Sequence, residues 1–306
     1  MQPFVSIVIA NYNYGRFLEE AIQSIIAQNM GNQVELIVCD ASSTDNSEEI
    51  IKKYANGLPQ NTSYEEWMSR SNSRFTTRNP QLITWWCSEP DGGQSAAFNK
   101  GFKHANGRFL TWLNADDVMM PGTLAALARA VEEHPKCEWF VGGVMWLNKN
   151  LQVIKCGRGR AFSKARAECG VVSVWGPSSF FSRELYERAG RVDERFFYKM
   201  DTDLWRRFYY KCGAMYLPFI DYAWGLRLHE DAKMSAHNFA QSGQQDKNHP
   251  KWKKIAQEEA WMEEYYKPRI KMTFLRKLLS VEIRKSLMGR IDSMRYNGKF
   301  FKECFT

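Results

Sequence analysis

Residues 108–123 read Arg-Phe-Leu-Thr-Trp-Leu-Asn-Ala-Asp-Asp-Val-Met-Met-Pro-Gly-Thr. The apolar run 109–113 predicts a buried strand that ends in Asn114, Asp116 and Asp117. Pro121 then opens a helix, carried by Leu124, Leu127, Ala128 and Val131 at helical spacing. Carboxylates at the carboxyl end of a central strand stand where open α/β sheets bind ligands. Two adjacent anions repel each other, so a positive group is expected beside them. A divalent cation carrying a diphosphate meets that need, because Mg²⁺ and Mn²⁺ favour carboxylate and phosphate oxygens. The competing reading is an Asp pair that caps the helix before Pro121.

Outward from this stretch, strand and helix patterns alternate. Residues 4–10 read as a first strand, and Leu18, Ala21, Ile22, Ile25 and Ile26 mark one helical face. Residues 34–39 are a second apolar run, followed by the turn Asp40-Ala-Ser-Ser-Thr-Asp45 and a helix over 46–54. A third strand is predicted at 82–86 and a helix at 94–104. Repeated β–α units predict a Rossmann-like, mostly parallel sheet with helices on both faces. Residues 57–81 are polar and interrupt the rhythm as an inserted loop, long enough for a lid or a partner contact.

After Pro135 the pattern changes. Strands are predicted at 139–147 and 151–155, an extended segment at 171–182, a helix at 201–212 and a strand at 214–220. The expected organisation is a domain over 1–266, with a nucleotide-binding half (1–135) and a mixed, acceptor-side half (136–266). A tail over 267–306 follows, where Leu275, Leu279, Ile283, Leu287 and Ile291 recur at steps of four among Lys and Arg. That spacing predicts an amphipathic basic helix, which either packs on the domain or attaches to an anionic membrane surface.

The charge supports the second option without deciding it. The chain has 306 residues and a net charge of +8, and residues 267–306 hold 11 Lys/Arg against 3 Asp/Glu. The surplus is therefore confined to the tail, which disfavours a nucleic-acid-binding body. Seven scattered cysteines show no Cys-x-x-Cys spacing and predict reduced thiols in a cytosol. The first apolar run is too short for a secretory signal, and no stretch approaches the ~18–20 apolar residues of a membrane span. A cytoplasmic protein is expected, soluble or peripheral on the inner face of the cell membrane.

Four segments occur in an order that resembles a known family: Ser6-Ile-Val-Ile-Ala-Asn-Tyr-Asn, Val38-Cys-Asp-Ala-Ser-Ser-Thr-Asp45, Glu89-Pro-Asp-Gly-Gly-Gln-Ser95 with Asn99-Lys100-Gly101, and Asn114-Ala-Asp-Asp117. The chain resembles the family 2 glycosyltransferases of GT-A fold, particularly those that build bacterial surface polysaccharides. The likeness runs from about Phe4 to about His229. It implies an inverting transfer from a UDP- or dTDP-sugar to a glycan or lipid-linked acceptor, with Mn²⁺ or Mg²⁺ as cofactor.

The resemblance places donor contacts at Ala10, Tyr12, Asp40, Asp91, Lys100, Asn114 and Asp116. A carboxylate at Asp40 can accept the imide N–H of uracil or thymine, although a turn or cap role stands beside that reading. Lys100 is a diphosphate partner or a surface lysine. Asp116, Asp117 and His229 match the metal-binding positions, with Asn114 standing where the family has the first Asp of a D-x-D pair. A neutral amide can still bond a ribose hydroxyl or a metal-bound water.

The catalytic base is implied at Asp201, in Met200-Asp-Thr-Asp-Leu-Trp-Arg-Arg207, where Met200 replaces the family's Glu. Asp201 and Asp203, two apart on a helix, point roughly 200° away from each other. Asp203 has Arg207 four residues on, the spacing of a surface ion pair. An inverting transferase needs a carboxylate to take the acceptor hydroxyl's proton. Aspartate's ordinary pKa of ~3.9 makes it a weak base, so burial or late proton transfer is required. Trp175, Gly176 and Pro177 line an acceptor cleft or fill the core.

Two other classes compete with this reading. A sugar-phosphate nucleotidyltransferase would carry a G-x-G-T-R loop where this chain has Ala-Asn-Tyr-Asn-Tyr-Gly15. A non-catalytic nucleotide- or sugar-binding module fits Asn114 and Met200, but Asp116, Asp117 and Asp201 argue for an enzyme.

Overall fold

The structure, a computed structural model, describes residues 2–55, 83–168, 170–172, 174–232, 250–266 and 287–304. The insert at 57–81 and the tail positions Leu275, Leu279 and Ile283 lie outside those residues.

The first half alternates as its sequence predicts: β1 (Val5–Asn11), α1 (Gly15–Ile26), β2 (Val34–Asp40), α2 (Ser47–Ala55), β3 (Ile83–Ser88), α3 (Gln94–His104) and β4 (Phe109–Asn114). β1 pairs in parallel with β2 on one side and β4 on the other, and β3 joins β2 in parallel. Successive strand residues face opposite layers. Val5, Ile7 and Ile9 therefore pack with Leu18, Ile22 and Ile51 of α1 and α2, while Val8 packs with Phe98 and Phe102 of α3. β2 divides likewise, Leu36 and Val38 to the first layer and Ile37 and Cys39 to the second. Both faces are covered, which is why these strands read as unbroken apolar runs. A Cβ on Gly101 would stand 2.4 Å from Val8 Cγ1, so the missing side chain lets α3 settle onto β1.

The second half extends the same sheet. It contributes β5 (Val118–Met119), α4 (Thr123–Glu133), β6 (Trp139–Leu147), β7 (Val153–Gly157), α5 (Lys164–Glu168), β8 (Ser179–Ser182), α6 (Arg183–Ala189), α7 (Met200–Tyr210), β9 (Leu217–Arg227), α8 (Pro250–Tyr265) and α9 (Leu287–Tyr296). Among the described residues the sheet has nine strands, in the order β3-β2-β1-β4-β8-β6-β9-β5, with β7 beside β6. β8 runs antiparallel to both β4 and β6, whereas β6 and β9 are parallel. The residues of 1–135 and 136–266 thus share one sheet, joined at the β4–β8 seam. Aromatic packing fills that seam: Trp112 and Trp205 stack at 5.4 Å, Trp205 also meets Trp139, and Phe181 and Phe208 close the cluster. Much of the chain's aromatic content is therefore core.

Three local expectations are corrected. Pro121 does not open the helix: α4 begins at Thr123, behind Gly122 in the left-handed region (φ 74°), and Gln28 Oε1, just past the end of α1, accepts Leu124 N (3.2 Å) in its first turn. The short strand β5 intervenes and pairs with β9, so Asp116 and Asp117 are not helix caps. Residues 171–182 are not one extended segment, because a 3-10 turn at Gly176–Ser178 precedes β8. The Asp203–Arg207 pair is buried rather than on the surface, with contacts of 2.6 and 2.9 Å, and burial pushes the Asp203 carboxyl up despite Arg207.

The described end of the tail packs on the domain. Asp292 of α9 is buried and accepts from Arg158 Nε (2.7 Å) and the Tyr222 hydroxyl, while Phe301 enters a cluster with Leu147 and Val153. Ile291 and Met294 on α9 remain 45% and 83% exposed. Among the described residues no helix is long and apolar enough to cross a membrane.

Candidate active site

Strand register lines up one edge of the sheet. Asn11 lies opposite Asp40, Asp40 opposite Ser88, and Ala10 opposite Asn114, so the carboxyl ends of β1 to β4 present their last residues together. This is the crevice edge of an open α/β sheet. Ala10 is half-buried there, and the Tyr12 ring beyond it is 60% exposed.

Asp40 occupies that edge differently from its expected role. Its Oδ1 accepts Asn11 Nδ2 (2.7 Å) and the Ser43 hydroxyl (2.5 Å), and its Oδ2 accepts Ser43 N (2.9 Å) and the Ser88 hydroxyl (2.6 Å). Those four bonds fill the roughly four acceptor sites of a carboxylate. Asp40 is buried and organises the turn. The amide oxygen of Asn11 beside it is buried without a partner among the described residues.

Asp91 stands just before α3, and Lys100 lies in the middle of that helix. Asp91 Oδ1 accepts Gly93 N (2.7 Å) and shapes the turn that begins the helix. Lys100 Nζ pairs with Glu89 (2.9 Å), which raises the lysine above its ordinary range. A diphosphate would have to compete with Glu89 for it. The other residues of this motif brace the second half: Asn99 donates to Val192 O and Glu194 and accepts from the Tyr186 hydroxyl, and Ser95 donates to Phe196 O (2.8 Å).

The two carboxylates after β4 part company. Asp117 has no exposed surface; its Oδ1 accepts Arg227 N (2.9 Å) and its Oδ2 accepts Asn114 Nδ2 (2.7 Å). Burial, reinforced by the charge of Asp116, pushes its carboxyl well above the usual range. Asp117 therefore ties β4 to β9, with both oxygens engaged by protein donors. Asn114 also accepts Gln94 Nε2 (2.8 Å). An Asp at 114 would place a second carboxylate against buried Asp117 and remove its amide donor.

Asp116 instead meets His229. Their Oδ2 and Nε2 atoms lie 3.0 Å apart, and the ring rests near Phe17 and Tyr14, with centroids 4.6 and 5.6 Å away. Tyr14 donates to Asp231 O (2.8 Å), and Arg16 pairs with Asp231. Burial and then the charge of Asp116 push the Tyr14 hydroxyl up. Two neighbouring ligands of an octahedral cation, each at ~2.1 Å, stand about 3.0 Å apart, so this oxygen–nitrogen pair fits one. Among the described residues no group of three or more His, Cys, Asp or Glu gathers at one point. A magnesium-type cation asks for fewer, since one or two carboxylates suffice when substrate phosphates supply the rest.

Asp201 is the second residue of α7, behind Lys199 at the cap position, so it is not the cap itself. Its Oδ1 accepts Thr202 N (2.6 Å), and its Oδ2 faces the Trp175-Gly176-Pro177 turn, 3.3 Å from where a Cβ on Gly176 would lie. Gly176 in turn approaches Trp112 of β4, two residues before Asn114. Trp175 is 42% exposed and stands edge-on to Trp146 at 5.2 Å. The wall beside Asp201 thus offers an open indole face.

Sequence reasoning missed Glu258. On α8, Lys251, Ile255, Glu258 and Met262 form the buried stripe, a helical spacing of four, three and four. A carboxylate in the middle of such a stripe is the signal that could have found it.

Comparison with known proteins agrees with the fold. The family profile "Glycosyl transferase family 2" matches residues 6–190. The minor teichoic acid biosynthesis protein GgaB of Bacillus subtilis is 32% identical over 130 residues, 42% of this chain and 12% of that protein. The chain spans less than two thirds of the first curated relatives it matches. S. aureus TarS 1-349 in complex with UDP-GlcNAc superposes with a TM-score of 0.52 at 18% identity, covering 77% of this chain and 61% of that one. The mannosyltransferase PcManGT from Pyrobaculum calidifontis, in complex with GDP-Man and Mn2+, superposes with a TM-score of 0.55 at 17% identity, covering 96% and 73%. At these identities the likeness is one of fold.

Proposed function

We propose for this chain, which belongs to glycosyl transferase family 2, an inverting transfer of a sugar from a UDP- or dTDP-sugar to a glycan or lipid-linked acceptor of a surface polysaccharide. The observation that carries the reading is the Asp116–His229 pair at the carboxyl edge of the sheet, 3.0 Å apart, with Asn114 fastened beside it. The role of GgaB in minor teichoic acid biosynthesis and the UDP-GlcNAc bound by TarS support the acceptor and donor classes.

The donor would lie along the ends of β1, β2 and β4, its base near Tyr12 and the Asp40 turn and its diphosphate toward Asp116. Asp116 and His229 would hold Mn²⁺ or Mg²⁺, whose charge would offset that of the departing diphosphate. Asp201 takes the proton of the acceptor hydroxyl as that oxygen attacks the anomeric carbon, and Trp175 offers a face on which the acceptor ring stacks.

The test is a donor panel of UDP-, dTDP- and GDP-sugars, assayed for nucleotide release with Mn²⁺, with Mg²⁺ and with chelator. Release from one UDP- or dTDP-sugar, lost on chelation, is the expected result. Binding without turnover for every donor and offered acceptor would instead favour a sugar- or nucleotide-binding module of the same fold.

We further place the enzyme at the cytoplasmic face of a membrane. Ile291 and Met294, three apart on α9, are exposed within a tail of 11 Lys/Arg and 3 Asp/Glu. Near an anionic surface each basic residue contributes about 1 kcal/mol. Ile291→Glu combined with Met294→Glu leaves the buried anchors Asp292 and Phe301 in place. The pair is expected to weaken binding to phosphatidylglycerol vesicles at least ~10-fold by co-sedimentation; undiminished binding removes α9 from that role.

A further inference from the structure

We infer that Glu258 is a positioning residue for Asp201, holding the start of α7 from α8; the inference rests on the assignment of Asp201 as base. Its carboxylate has no exposed surface and accepts three successive backbone N–H groups, those of Phe197, Tyr198 and Lys199, each at 2.9 Å. A buried carboxylate is tolerated only when donors replace its water, and N–H bonds to a charged acceptor are among the stronger hydrogen bonds. These three amides immediately precede Met200, the first residue of α7.

The start of α7 depends on this support. A helix leaves its first N–H groups without intrahelical partners, and a side chain at the cap position normally accepts one of them. Here Lys199 holds the cap position and makes no side-chain cap bond. The carboxylate of Glu258 reaches the preceding turn from another helix, and Asp203 N then bonds Lys199 O (2.8 Å) to begin the helical ladder. Asp201 follows the last held amide by two residues. Its Oδ1 is fixed by Thr202 N, so where Oδ2 points follows from where the backbone of 197–199 is held.

Neighbouring contacts confine the same turn without reaching its amides. Ser95 holds Phe196 O from α3, Trp261 stands edge-on to Phe196 at 6.0 Å, and Lys199 pairs with Glu259 (2.9 Å) at the surface. Tyr266 donates to Asp203 Oδ1 (3.3 Å) on the inner face. Glu258 alone among these side chains bonds the three N–H groups that set the direction of the turn. Loss of one acceptor oxygen would let the turn shift, and a shift of about 1 Å at a reacting group can lower a rate by roughly 10²-fold.

The test uses the full chain and nucleotide release from the most active sugar nucleotide of the UDP, dTDP and GDP panel. Glu258→Gln keeps the size but replaces one acceptor oxygen by an amide that faces other N–H groups. It is expected to lower kcat roughly 10- to 100-fold, with the donor KM within about twofold. Glu264→Gln, on the exposed side of α8, is expected to change neither. The decisive comparison is made in the Asp201→Asn background. If Glu258 acts through Asp201, adding Glu258→Gln there changes the residual rate by less than about twofold, a failure of additivity that marks coupled groups. A further fall as large as in the wild type shows a general structural role and overturns the inference. So does a wild-type kcat for Glu258→Gln when Asp201→Asn is impaired. A wild-type rate for Asp201→Asn, or no donor turned over at all, defeats the base assignment first and takes the inference with it. Should Glu258→Gln not fold, Glu258→Asp keeps the charge and shortens the reach: a folded variant with lowered kcat supports the positioning role, and one with unchanged kcat overturns it.

Discussion

Asp201→Asn is expected to lower sugar transfer by about 10²- to 10⁴-fold, the usual contribution of a general base, while UDP affinity stays within about twofold. In activation free energy the loss is about 3–5 kcal/mol, at 1.36 kcal/mol per factor of ten. The substitution is nearly isosteric. The retained Oδ1 can still accept Thr202 N, so α7 should begin as before. What changes is the second atom, which faces the Gly176 turn and becomes an amide nitrogen with no lone pair for a proton. Asp203 cannot substitute, since both its Oδ2 bonds go to Arg207 and its other oxygen accepts from Tyr266 inside the domain. Calorimetry with UDP separates binding from chemistry. Transfer above about a tenth of the wild-type rate would mean that another group takes the proton.

The contrast between Asp201 and Asp203 was legible in the sequence; the burial of Asp203 was not. Two residues apart on a helix must diverge, and that follows from helical geometry alone. Whether the far side meets solvent or protein depends on α8, which arrives some fifty residues later and is followed by Tyr266, the donor to Asp203 Oδ1. The same limit explains the other revisions. β1, β2 and β4 announce themselves because both their faces are covered, so pattern and placement coincide. β5 is two residues long and exists only because β9 pairs with it, and without it Pro121 looks like a helix start. Asp116 and Asp117 are indistinguishable as letters, and they separate only when Arg227 N claims one of them. Asp40 reads as a ligand group until Ser43 and Ser88 are folded around it. Glu258 sat inside a run of charges that reads as a solvated face, although its spacing from Ile255 and Met262 places it on the buried one.

Asp116→Ala is expected to reduce donor turnover by roughly 10²- to 10³-fold, the several kcal/mol that a metal's charge contributes at a departing group, and to make UDP affinity insensitive to Mn²⁺. The argument rests on which carboxylate can reach a ligand. Asp117 is enclosed and already bonded through both oxygens, so its removal would act on the β4–β9 junction rather than on the donor. Asp116 engages only His229 among the described hydrogen bonds, through an oxygen and a nitrogen at the spacing of two adjacent cation ligands. His229→Ala is the companion variant. If the pair binds a cation, both substitutions weaken Mn²⁺-dependent UDP binding and neither alters the affinity measured in chelator. If the 3.0 Å contact merely fastens the segment after β9 onto the turn between β4 and β5, both lower the melting temperature while UDP binding keeps its response to Mn²⁺. Wild-type protein that binds UDP equally well with Mn²⁺ and with chelator would remove the cation from the site altogether, leaving Asp116 as the group that orients His229 against Tyr14 and Phe17.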